Sequence, residues 1–205
     1  LVGSEMCIRD RCPGRVHHNC SGKHAGFLST AAHLGEPAVG YLEVEHPVQQ
    51  RVKRVLAEMT DIDLDKAAVG VDGCGAPVFG MPLRGLALAM ARFGTGTGLS
   101  GPREQAAARF YRAMVREPFM ISGTARWGTR AMQVTGERLA VKGGAEGVYC
   151  AIIPEEQIGI ALKIDDGGSR AAEALMGLLL IRYAGLGPDL SATVSYTHLP
   201  LPTKA

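Results

Sequence analysis

The sequence predicts an α+β fold, an antiparallel sheet flanked by helices, and three observations lead there. Apolar residues recur at helical spacing in most segments before residue 118. Residues 138 to 164 change character and give short apolar runs divided by turn-sized gaps, as antiparallel strands do. A long apolar helical pattern then follows, ending near residue 185. Helices first, strands next and a closing helix last is not the alternation of a βαβ chain.

Each element has its own warrant. HAGFLSTAAHLG, residues 24 to 35, reads as a helix in which Phe27, Leu28, Ala31 and Ala32 share a face and Gly35 stops the chain. HPVQQRVKRVLAEMTD, residues 46 to 61, is the next, with Val48, Val52, Val55, Leu56 and Met59 on one side and Arg51, Lys53, Arg54 and Glu58 on the other. The helical period breaks in KAAVGVDGCGAPVFGMPL, where two extended pieces flank a glycine-rich turn around Cys74. LRGLALAMARFG and REQAAARFYRAMVRE restore it, on either side of the loop GTGTGLSGP. VYCAII and IGIALKI are joined by PEEQ, a connection of hairpin length.

Composition bounds the function. The 205 residues are 46% hydrophobic and 20% charged, which suits one globular domain rather than a disordered chain. The formal charge is only +2, so the basic footprint of a nucleic-acid binder is missing and a small neutral or zwitterionic partner fits better. The longest apolar run, ALMGLLLI at 174 to 181, is well short of the roughly 20 residues that span a bilayer, so no membrane partner is expected.

The two ends read differently from the rest. MCIRD at 6 to 10 and VSYTH at 194 to 198 can be encoded by one DNA word and its reverse complement, in the manner of a transposon end used to fragment DNA. Residues 1–12 and 193–205 are therefore set aside as translated library sequence, leaving 13–192 as a single domain incomplete at its N-terminus. The secure cysteines are then Cys20, Cys74 and Cys150. An odd, scattered set is no disulfide framework and points to a reducing, cytoplasmic setting.

Residue types raise chemical options without deciding between them. Cys20 and Cys74 sit in the glycine-rich settings CSGKH and DGCG, yet no C-x-x-C is present, so a shared metal site and two small buried hydrophobes both remain open. Lys142, in VKGGAEG, lies where an apolar run meets two glycines; it is either a solvated turn or the K-x-G lysine of penicillin-recognising serine enzymes. His33 and His46 read as helix-surface and helix-start residues, and Trp127 and Met132 as core.

HHNCSGKHAGFL, GYLEVEHPVQ, VDGCGAPVFGMPL and VKGGAEGVYCAI, in that order, resemble the asparaginase II family of the rhizobial type. The resemblance spans nearly all of residues 17 to 185 and implies a fold like that of serine β-lactamases and glutaminases. It implies a zinc ion held by Cys20, Lys23 and Cys74, with His24 beside the metal or facing substrate and Asp72 placed for the α-amino group of an amino acid. Lys23 would first have to lose its proton, and a cation with two thiolates is expected to depress its pKa. Lys142 matches the family's active-site lysine, with Gly144 or Ala145 as oxyanion donors. The implied reaction converts L-asparagine to L-aspartate and ammonia through a serine ester, in a homodimer.

The departure from the family is as informative as the match. No serine in the sequence is followed three positions later by lysine, so the S-x-x-K nucleophile pair is expected upstream and the chain alone is expected to be inactive. A zinc-stapled amino-acid-binding domain without catalysis, or an enzyme for another amide such as glutamine, are the competing readings.

Overall fold

The computed structural model describes residues 14–186 and Leu190, so both terminal stretches set aside above lie outside the described residues. The α+β class is borne out: helices surround two small antiparallel sheets. Contacts divide the chain into two units, one of Leu1–Glu58 with Asp63–Gly80 and one of Met59–Ile62 with Met81–Ala205.

In the first unit, helix α1 (Ser21–His33) starts three residues before the expected His24. Two glycines in its first six residues and the lack of a side-chain cap at Cys20 hide that start from a propensity reading. Gly35 ends it as expected, with φ +68 and its N–H on Ala32 O. Helix α2 (Pro47–Thr60) opens with Pro47. His46 fixes that opening: its Nδ1 accepts the Val48 N–H at 3.2 Å while Nε2 bonds Pro37 O at 2.8 Å. The two extended pieces expected around Cys74 are strands β1 (Val69–Val71) and β2 (Pro77–Phe79), and they pair as an antiparallel hairpin in register Val69 to Phe79 and Val71 to Pro77. Its turn is closed by Asp72 N–H on Ala76 O and Gly75 N–H on Asp72 O, both at 2.8 Å.

The second unit carries the main apolar core. Strands β3 (Ala140–Gly143), β4 (Val148–Ile153) and β5 (Ile158–Lys163) form an antiparallel sheet in sequence order, and Pro154–Gln157 makes the predicted hairpin turn. Helix α3 (Leu83–Thr95) lies on the face that carries Ile152 and Gly159. There the backbones touch: a methyl group at Gly159 would lie 2.1 Å from Ala87 O and 2.3 Å from Ala91 N. Helix α4 (Pro102–Arg116) follows, then α5 (Pro118–Ser122) and α6 (Trp127–Thr135), two helices that the sequence pattern does not announce. Trp127 meets Tyr149 edge-on, 5.5 Å between ring centres, on the sheet face opposite to Ile152. Helix α7 (Ser169–Tyr183) closes the layer, burying Met176 and Leu180 completely. Trp127 and Met132 are core residues, as expected. Among the described residues no helix is long and apolar enough to cross a membrane.

Candidate metal centre and active-site residues

The first turn of α1 and the β1–β2 hairpin turn bring together groups far apart in sequence. Cys20 stands at the helix boundary, where its N–H bonds His18 Nδ1 at 3.1 Å and its sulfur makes no capping bond. One turn on, the Lys23 ammonium reaches Asp72 Oδ2 at 2.9 Å. The hairpin turn adds Cys74, whose Sγ is 3.6 Å from that same oxygen, while Gly73 N–H binds Asp72 Oδ1 at 2.7 Å. The sulfurs of Cys20 and Cys74 and a carboxylate oxygen of Asp72 all lie within 4.8 Å of one another. This cluster could hold a metal ion, because two thiolates and a carboxylate are donors that a borderline-soft divalent cation accepts.

The electrostatics of the protein groups alone are those of a clamp on an ammonium. The Lys23 hydrogen bond, then the Gly73 N–H, hold the Asp72 carboxyl below its ordinary value. Burial works to lower the Lys23 amine, yet hydrogen bonds to Asp72 and Cys74 and the negative potential of both sulfurs outweigh it, and the net direction is upward. The depression expected from the sequence therefore needs the metal's own charge; thiolates and carboxylate act with the opposite sign. Burial pushes the Cys20 thiol up, Lys23 opposes, and Cys74 and Asp72 add to the rise.

His24, next to Lys23 on α1, bonds Tyr41 OH through Nδ1 at 2.7 Å and stacks edge-on against Phe27 and Tyr41. Tyr41 sits inside GYLEVEH and carries no role in the sequence reading; only a fold that brings the loop back to α1 reveals it. Asp72 is likewise more than a substrate-facing candidate, since it sits between Lys23 and Cys74.

Lys142 belongs to the second unit. It is exposed on β3 opposite Cys150, and its ammonium bonds Gly143 O. Cys150 is buried, and burial pushes its thiol up to about 11. Gly144 is withdrawn from the oxyanion role expected of it, because its N–H donates to Val148 O at 2.8 Å.

No curated protein matches the chain. A family model for L-asparaginase II matches residues 2–203, a span that includes the four motifs, the Cys20–Asp72–Cys74 cluster and Lys142 as well as parts of both terminal stretches. With 202 of 205 residues inside that match, the chain belongs to the L-asparaginase II family.

Proposed function

We propose that this chain belongs to an enzyme that hydrolyses the side-chain amide of L-asparagine to L-aspartate and ammonia. Membership of the family implies an amidohydrolase with a small-molecule substrate. The observation that carries the finer reading is the convergence of Cys20, Lys23, Asp72 and Cys74, residues drawn from the two most diagnostic motifs.

Cys20 and Cys74 would hold zinc, with Lys23 or Asp72 as the next donor. A bound zinc would supply a fixed positive charge that favours thiolate over thiol and a neutral amine over an ammonium. Asp72, kept anionic by Lys23, suits the cationic α-amino group of an amino-acid substrate. Its carboxylate has lone pairs to spare after the bonds to Gly73 and Lys23. His24, locked by Tyr41, offers a fixed imidazole edge to the same substrate. By its motif Lys142, in the second unit, is the candidate to move a proton to or from a serine oxygen.

The nucleophile of this reading is the serine of an S-x-x-K pair, and no serine of this sequence has a lysine at that offset. Attack on the amide carbonyl releases ammonia, and water then frees aspartate from the ester. Glutamine is the poorer substrate because its extra methylene moves the amide away from the nucleophile.

Ammonia release tests this. The chain as written and the longer reading frame are each assayed with asparagine, glutamine and a chromogenic lactam. Turnover of asparagine by the longer frame alone is expected. Turnover by the chain itself would place the nucleophile within these residues, and metal binding without hydrolysis by the longer frame would favour an amino-acid-binding domain.

A further inference from the structure

We propose that Cys20 and Cys74 are a reversible oxidation site, joined as a disulfide by a peroxide and reopened by a dithiol, so that the cluster takes up metal only when reduced. The inference goes beyond the hydrolase reading and does not depend on it.

Geometry comes first. The two sulfurs lie within 4.8 Å, and a disulfide requires about 2.05 Å, a gap that rotation about the Cα–Cβ bonds and a small shift of the turn can close. Only polar contacts hold the two side chains against that motion: Cys20 makes no capping bond, and the Cys74 sulfur has the long 3.6 Å contact to Asp72 and hydrogen bonds with Lys23 and Cys20. The turn that carries Cys74 is flanked by glycines, and beside Gly73 there is open space even for an added methyl group.

Access separates these sulfurs from the third one. Cys20 and Cys74 are half-buried and open to a small oxidant, whereas Cys150 is 7% exposed inside the sheet of the second unit. Chain order favours joining as well: the two cysteines are distant in sequence and already adjacent in space, so oxidation fixes a contact that folding has made.

The chemistry balances with one peroxide, ROOH. One thiolate attacks the terminal oxygen, the O–O bond breaks, and the sulfur becomes a sulfenic acid as ROH departs with the thiol's proton. The second thiol attacks that sulfur, its proton joins the displaced hydroxide, and water leaves as the S–S bond forms. Two thiols lose two electrons and the peroxide gains them. Both sulfurs are then spent as metal donors, leaving Asp72 and Lys23 alone in the cluster.

The test uses the unaltered chain, stripped of metal or loaded with zinc, exposed to an equimolar amount of hydrogen peroxide and digested with trypsin without reduction. Cys20 lies in the tryptic peptide 16–23 and Cys74 in 67–84, so the expected product is these two linked, about 2 Da lighter than their sum and separated again by dithiothreitol. Zinc loading is expected to slow its appearance at least about tenfold. Sulfinic or sulfonic acids on Cys20 and Cys74 without the linked pair would overturn the proposal. So would linkage of either to Cys150 in 143–163, or an equal rate of linkage with zinc bound.

Discussion

The second unit holds its parts together by apolar packing, and the first largely by polar links. One cluster in the second unit joins Val115, Met132, Val141, Ile152, Met176, Leu180 and their neighbours across helices and sheet. Among its described residues the first unit buries only Ala31, Val48, Leu64, Ala76 and Phe79 of its apolar side chains, beside His46 and Gln49. Its ties include Lys23 to Asp72 at 2.9 Å, Arg51 to Glu36 at 2.5 and 3.1 Å, Gln49 Nε2 to Tyr41 O at 2.7 Å, and Lys53 to Asp65 at 2.7 Å. The candidate metal site thus stands in the unit whose geometry answers to charge, while the sheet that carries Lys142 answers to volume.

The sharpest way to break this contrast is to add one methyl group. Gly159→Ala pushes a carbon to 2.1 Å from a backbone oxygen of α3, where no side-chain rotation can relieve it. A loss of at least about 3 kcal/mol is expected. Urea unfolding followed by Trp127 fluorescence reads this directly, because the sequence has a single tryptophan and it lies in the second unit's core. Unchanged stability would mean that α3 does not rest on the sheet.

Removing volume should rank the units in the same order. Leu180→Ala, at a side chain with 0% exposure, is expected to cost about 2 to 5 kcal/mol. Val48→Ala, at 2% exposure in the first unit, removes less apolar surface and should cost about 2 kcal/mol. Paired urea titrations followed by backbone circular dichroism give both numbers. The reverse ranking would put the larger packing contribution in the first unit.

Metal should act on the polar unit. Zinc held at about 100 times its dissociation constant adds roughly 2.7 kcal/mol to whatever folded region binds it. Hydrogen exchange should therefore slow in peptides covering 16–23 and 67–84, the segments that carry the cluster, and a chelator should reverse it. No comparable donor cluster occurs among the described residues of the second unit, so slowing confined to 140–163 would overturn the assignment of the site.

How much of this was legible depends on how each feature is written in the chain. The helices with a clear apolar stripe, α2, α3 and α4, the long apolar run of α7 and the β4–β5 hairpin follow from periodicity, composition and the PEEQ gap. Helix α6 does not, because it is only nine residues long and buries Gly128, Thr129 and Thr135 beside its apolar residues. The two threonines satisfy their hydroxyls locally, on Gly123 O at 2.7 Å and Ala131 O at 2.8 Å, which only the folded backbone reveals. At the site, residue types alone left Cys20 and Cys74 undecided, and the family motifs paired them. The Lys23–Asp72 bond spans 49 positions and has no local signature, so the sign of the Lys23 shift was out of reach of the sequence.

The smallest expected effect is a difference in pH response. In the first unit the Arg51 hydrogen bond holds the Glu36 carboxyl below its ordinary value, and Lys66 does the same for Asp63. A lowered folded-state pKa means stability that is present above the ordinary carboxylate value and lost as pH falls through the folded one. Glu173 in the second unit is shifted the other way, raised by burial against the opposing pull of Arg126 and Arg130. Its contribution is therefore fully present below the ordinary glutamate value and lost as pH rises through the raised one. Between neutral pH and the carboxylate range, acidification should speed exchange around Glu36 and Asp63 while Glu173→Gln abolishes a slight slowing around α7. The surface pairs contribute little each, so the slopes will be shallow, and only their opposite signs carry the argument. Parallel slopes in the two regions would show that charge is not what divides them.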